Sequence, residues 1–155
     1  MFFHVLPMSK RENGAKATRL PSRGKDPLTG EIVSSGAVGF DIYAPEPGRL
    51  DTLEGRLIPL GFAASFPEGY IGKMFDRSGM GNKGITLLAG VMDPDYRNEW
   101  GVILYNTKPT PFKWDTGDRI CQVVFWKVEV DFEPAWVTEL EKTVRNLGGI
   151  GSSGK

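Results

Sequence analysis

The sequence predicts an all-β fold, a sandwich or closed barrel made by one domain. Short strand-like runs recur from Ala37 onward, at 37–44, 56–66, 69–75, 84–92, 100–106 and 119–130. Turn formers separate them, with 20 Gly and 11 Pro in the chain. Strands at that spacing and with that punctuation mark sandwiches and barrels. No stretch keeps the 3.6-residue apolar period of a long helix, and only 78–83, after Arg77, reads as a helical turn. A length of 155 residues suffices for one core and falls short of two.

The apolar opening Met1–Met8 reads as a first strand. No basic residue precedes it and Pro7 closes it, which makes it too short for a signal-peptide core or a membrane span, so a cytoplasmic protein is expected. Residues 9–36 are rich in Lys, Arg, Gly, Pro and Ser and read mostly as loop, with Ala17–Pro21 as a short extended piece. Ile58–Phe66 is apolar nearly throughout, as in a strand buried on both faces, and its Pro59 marks an edge or a bulge. The run 119–130 is the strongest β signal. Gln122 within it needs a partner if buried, either a sheet neighbour or a polar ligand. The tail Arg145–Lys155 has the composition of a flexible linker, or of a cradle for phosphate in which Gly amides and Ser hydroxyls stand open beside a cation. It lacks P-loop spacing. The expected division is a β domain over 1–144 and a Gly/Ser-rich arm over 145–155.

Charge and composition narrow the chemistry. Lys+Arg and Asp+Glu both number 19, so no global field draws the chain to nucleic acid or to an anionic membrane, and neither is an expected partner. Cys121 is the only cysteine, which excludes an internal disulfide and a thiolate zinc cluster, and a lone His4 removes most imidazole chemistry. Carboxylates remain for proton transfer, and Arg, Ser, Gly amides and a hard cation such as Mg²⁺ remain for phosphate. Gly90–Asn106 concentrates this inventory: Asp93, Asp95 and Tyr96 lie within four positions around Pro94, between apolar runs. The pattern reads as a hairpin with chemistry at its tip. A merely solvated turn is the competing reading, because Asp bonds its own backbone in turns.

Five stretches now stand in order: Ala37–Ala44, Asp76–Ile85, Gly90–Asn106, Gly117–Gln122 and Arg145–Lys155. In content, order and spacing they resemble the five motifs of the trimeric dUTP pyrophosphatases, the dUTPases, from about Ala37 to Lys155. The resemblance implies a jelly-roll-like β subunit, a homotrimer with sites between subunits, and Mg²⁺-dependent hydrolysis of dUTP to dUMP and pyrophosphate. The ion is held by substrate phosphates and water, with no protein ligand. By position, Asp93 corresponds to the carboxylate that activates the attacking water, and Tyr96 to the ring packed under the deoxyribose, leaving no room for a 2′-hydroxyl. Arg77 and Ser78, followed by Gly79, correspond to the phosphate-side group, and Gln122 to a contact with the phosphate chain or the water. Backbone groups of about Ile85–Val91, Gly90 among them, correspond to the uracil reader. Asp41 corresponds to a structural acid of the site wall. Arg145 with Ser152 and Ser153 would embrace the γ-phosphate, with Gly149, Ile150 and Gly151 in the same closing arm.

Three positions depart from the family pattern. Ile150 stands where an aromatic, most often Phe, lies over the uracil, and Ile has no π-face to stack. Asn98 and Asn146 stand at positions usually held by Gly, and Asn tolerates the left-handed backbone best after Gly. The phosphate machinery is intact, so an active enzyme with altered closure is expected. Trp100 is a candidate replacement cap over the base, the alternative being ordinary core. The related dCTP deaminases share an Asp-Pro stretch but need a Glu about ten residues beyond it, where this chain has Ile103. A nucleotide-binding regulatory protein of the same fold, gripping a protein partner not identified by sequence, is the remaining reading.

Overall fold

The computed structural model describes residues 3–26, 28–129 and 131–144. Among them lie eleven strands and one short helix, and no helix long and apolar enough to cross a membrane. Every strand pairing is antiparallel. β2 (Phe40–Tyr43), β11 (Arg119–Lys127), β6 (Tyr70–Phe75) and β8 (Val91–Met92) form a four-stranded sheet in that order. β4 (Gly55–Pro59), β9 (Gly101–Asn106) and β7 (Ile85–Leu88) form a second. Two small ribbons complete the set, β1 (His4–Pro7) with β5 (Phe62–Ser65) and β3 (Gly48–Leu50) with β10 (Phe112–Trp114). The helix α1 (Ser78–Asn82) follows β6 directly.

The period of two decides which side chains meet. Along β9, Val102, Leu104 and Asn106 are buried while Gly101, Ile103 and Tyr105 are half-buried. Inward faces of all four sheets join in one cluster that includes Ile42, Leu50, Met74, Ile85, Leu104 and Ile120. Asn106, fully buried within it, is satisfied: its Nδ2 donates to the carbonyls of Asp51 (3.0 Å) and Thr110 (2.8 Å), and its Oδ1 accepts from the Lys108 amide (3.0 Å).

Two of the expected strands are broken at left-handed backbone positions. The run 56–66 divides into β4 and β5 at Gly61, whose φ of 73° takes it out of the ladder. Trp100 bonds the residues on either side, accepting from the Leu60 amide (2.9 Å) and donating to the Phe62 carbonyl (2.8 Å), so Gly61 is a bulge. Pro59 ends an edge strand, as its missing N–H requires. The run 84–92 divides at Ala89 and Gly90, with φ of 64° and 106°, which carry the chain from β7 in one sheet to β8 in the other. β3 and β10, three residues each, are too short for alternation to reveal. Beyond β11 the described residues 131–144 form no strand or helix, and Phe132, Trp136, Leu140 and Val144 stand exposed.

Trp100 packs as core and also borders the cleft beside Asp93. It is fully buried, 5.7 Å from Phe3 in a stacked arrangement, 5.4 Å from Phe62 and 6.3 Å from Phe66 by ring centroids. It precedes β9 in register with Val102 and Leu104, so the pleat turns it inward. Its indole N–H finds no acceptor among the described residues. Trp100→Ala is therefore expected to destabilise the fold by about 3–5 kcal/mol, read as a lower urea midpoint, as truncation of a buried Trp does elsewhere.

Candidate active site

The first cluster sits in the connection between β7 and β9. The Gly90 carbonyl accepts from the Met74 amide (2.8 Å), and Lys73 Nζ donates to the Ala89 carbonyl (3.3 Å), which pins the left-handed turn against β6. β8 then delivers Asp93 to a turn closed by the Tyr96 amide donating to the Asp93 carbonyl (3.2 Å). Pro94 pre-sets that turn. The Asp93 side chain is exposed, and its carboxylate has no partner among the described residues. It borders a cleft of about 600 Å³ walled by Leu57, Leu88, Gly90, Val91 and Tyr96. The Tyr96 hydroxyl donates to the Glu99 carbonyl (3.3 Å), so the phenol is tethered while its ring stays 37% exposed.

The second cluster is built on β2, β11 and the turn after β6. Asp41 lies opposite Gln122 in the β2–β11 pair, and on its other side it pairs with Ser22. Backbone on both flanks therefore fixes its carboxylate. Asp41 Oδ1 accepts from Arg77 Nε (2.7 Å) and Oδ2 faces Arg119 Nη1 (3.5 Å). The Asp41–Arg77 pair is largely buried, at 19% and 25% side-chain exposure, and is screened less than a surface pair. Anchoring through Nε leaves both terminal nitrogens of Arg77 without a partner among the described residues, a fork suited to phosphate oxygens. Gln122 Nε2 donates to the Asp76 carbonyl (3.0 Å), and a Cβ at Gly39 would stand 2.3 Å from Gln122 Oε1, so the amide is seated by its surroundings. Ser78 and Gly79 are exposed in the first turn of α1. Cys121 lies beside this cluster, but burial, and after it the Asp41 charge, push its thiol far up. It is an inert apolar side chain.

β2 and β8 are opposite edges of the same sheet, about three strand spacings or roughly 14 Å across it, and the register places Asp41 level with Phe75 but Asp93 beyond Met92, level with Ile71, so the two carboxylates stand farther apart still. None of Asp41, Arg77, Ser78 and Gln122 lines the Asp93 cleft. Within one chain the two clusters are separate. Arg145, Gly149, Ile150, Gly151, Ser152 and Ser153 lie outside the described residues. Residue reasoning did not single out Arg119 or Gly39, although both belong to the Asp41–Gln122 pocket. A bulge between Arg119 and Cys121 lets Arg119 share Asp41 with Arg77, and no local pattern announces it.

An all-β protein with an exposed carboxylate over one cleft, a seated guanidinium in another place and no nucleophilic thiol among the described residues has the equipment of a hydrolase that works through water. Its family is definite. The dUTPase family profile matches residues 30–154, and the chain belongs to the dUTPase family. A deoxyuridine 5′-triphosphate nucleotidohydrolase of Kluyveromyces lactis is 36% identical over 144 residues, covering 92% of this chain and 95% of that one. The dUTPase of Staphylococcus bacteriophage 80alpha, solved with dUpNHpp, shares the fold at a TM-score of 0.81 and 24% identity, covering 99% of each chain. A mutant dUTPase of the S. aureus phage phi11, in which a structural Mg(II) ion is coordinated, does so at a TM-score of 0.73 and 21% identity, covering 92% of this chain and 100% of that one. The jelly-roll-like architecture is the family's.

Proposed function

We propose that the protein hydrolyses dUTP to dUMP and pyrophosphate with Mg²⁺, at sites assembled between three copies of the chain. The observation that carries this is the unpartnered Asp93 carboxylate at the mouth of the cleft beside Tyr96. Uracil enters between the backbone edges of β7 and β8, and the deoxyribose rests on Tyr96. Asp93 holds a water and takes its proton as the water oxygen bonds to the α-phosphorus, while the bond from that phosphorus to the bridging oxygen breaks and pyrophosphate leaves. Arg77 and Ser78 meet the charge on the departing oxygens, and Gln122 orients the phosphate chain or the water. Asp41 keeps Arg77 aimed through Nε.

The described residues contain no group of three His, Cys, Asp or Glu side chains able to hold a metal. In this reading Mg²⁺ arrives on the triphosphate and would supply charge neutralisation there. Separation of the two clusters within one chain supports assembly, since another copy could bring an Arg77 to Asp93. So do the exposed apolar side chains of 131–144: covering a large apolar side chain such as Phe fully yields about 1.5–3 kcal/mol, and the described residues of this chain offer them no cover. The arm 145–155, with Arg145, Ser152 and Ser153, closes on the γ-phosphate in this reading. A cytoplasmic setting belongs to the same proposal.

Steady-state release of pyrophosphate from dUTP and from dCTP, with and without Mg²⁺, tests the function. Turnover of dUTP alone, lost on chelation, is expected. Equal turnover of dCTP, or ammonia release, would overturn it. Ile103 offers no carboxylate for deamination.

A further inference from the structure

We infer that Glu99 is a positioning residue for sugar selection: its side chain clamps the end of the turn between β8 and β9 to the N-terminal segment, and its backbone carbonyl holds the Tyr96 hydroxyl. The inference rests on the proposed place of Tyr96 beneath the deoxyribose.

Glu99 is an acid without a cation. It is 8% exposed and forms no salt bridge with any described residue. Both oxygens of its carboxylate are engaged by main chain. Oε1 accepts from the Gly61 amide (3.0 Å) and Oε2 from the Lys10 amide (2.8 Å). Charge-assisted bonds of this kind are stronger than neutral ones and directional. The Gly61 amide is available because the bulge removes it from the strand ladder, where Trp100 pairs with Leu60 and Phe62 instead. Gly61 is itself locked. Its carbonyl accepts from the Met8 (2.9 Å) and Ala17 (2.8 Å) amides, and a Cβ there would stand 2.5 Å from the Ala17 nitrogen.

The chain of contacts therefore runs from the 8–17 segment through Gly61 to the Glu99 carboxylate, and from the Glu99 carbonyl to the Tyr96 phenol. Lys10, Asp93, Tyr96 and Glu99 all border the same cleft. A ring that excludes a 2′-hydroxyl by steric contact must be held to a fraction of an ångström, since a 2′-oxygen needs little space. The phenol bond supplies that restraint at one end of the ring, and the clamp makes its acceptor immobile. Satisfying the bulge amide is a structural duty of Glu99 as well, but that duty alone predicts no change in the choice between ribose and deoxyribose.

The test compares kcat/KM for dUTP and for UTP in Glu99→Gln, Tyr96→Phe and the double variant, with Tyr96→Ala as reference. Glu99→Gln keeps the volume, retains one oxygen and turns an NH₂ toward an amide donor, so one half of the clamp opens. Tyr96→Phe removes only the tether. Each single change is expected to reduce the dUTP/UTP preference by about tenfold, the size of effect that sub-ångström misplacement produces, and the double variant is expected to lose no more than either alone. Preference that falls in Tyr96→Phe but holds in a folded Glu99→Gln overturns the inference. Additive losses overturn it too, since they show separate routes. If Glu99→Gln does not fold, Tyr96→Phe decides: an undiminished preference there refutes the tether. If even Tyr96→Ala keeps full preference, the sugar-wall reading of Tyr96 fails, and the inference falls with it.

Discussion

Asp93→Asn is expected to lower dUTP turnover by about 10²–10⁴-fold, the usual loss when a general base is removed, while dUpNHpp binds within a few-fold of the parent. Asn preserves the shape of the side chain and its acceptor oxygen but cannot hold a proton taken from water. The Asp93 carboxylate has no competing duty that would turn the change into a folding defect: it is exposed, without a partner among the described residues, and the Tyr96 turn bond uses its backbone carbonyl. Asp95, exposed in the same turn, provides the control, and Asp95→Asn is expected to retain most activity. Equal losses in the two variants would show that general negative potential at the turn matters more than a base at Asp93. Retained turnover in Asp93→Asn would end its assignment as the base.

Much of the fold could be read from periodicity, and the places where reading failed share a cause. β11 was visible because nine residues of nearly unbroken β-formers leave no other option, and Gln122 stood out within it as a polar group in need of a partner. That partner, the Asp76 carbonyl, belongs to a turn brought alongside by β6, so only the fold could identify it. Trp100 illustrates a signal that was available. Val102 and Leu104 must point inward on any reading of β9, and parity then carries Trp100 inward as well. The bulges at Gly61 and after Arg119 are different, because one extra residue changes the face of everything beyond it and a Gly or an Arg does not reveal which strand will absorb the shift. Glu99 was hidden for the same reason. Its amide partners, Lys10 and Gly61, are remote in sequence, and the Gly61 amide becomes a donor only once the bulge forms.

Mixing two inactive chains is expected to restore activity, provided the sites are shared as proposed. One chain carries Asp93→Asn and the other ends before Arg145. Alone, the first lacks the base in every site and the second lacks the closing arm in every site. In a mixed trimer a site is whole when its Asp93 comes from the truncated chain and its arm from the full-length one. With random assembly from equal amounts and independent donors, about one site in four meets both conditions, a consequence of closed cyclic symmetry with heterologous contacts. The recovered rate is then about a quarter of the parent's, far above the residue left by Asp93→Asn. Should Asp93 and the arm act on the same nucleotide from a single chain, no mixture contains a whole site and activity stays at the level of the separate variants. Subunit exchange needs its own check, by mass measurement of the mixed assemblies, so that a null result reports on site architecture and not on slow exchange. The geometry favours recovery: Asp93 falls in register opposite Ile71 at one end of β6 while Arg77 lies beyond the other end of that strand, held to Asp41, so the two groups stand apart within one chain and neighbouring copies can supply what each site lacks.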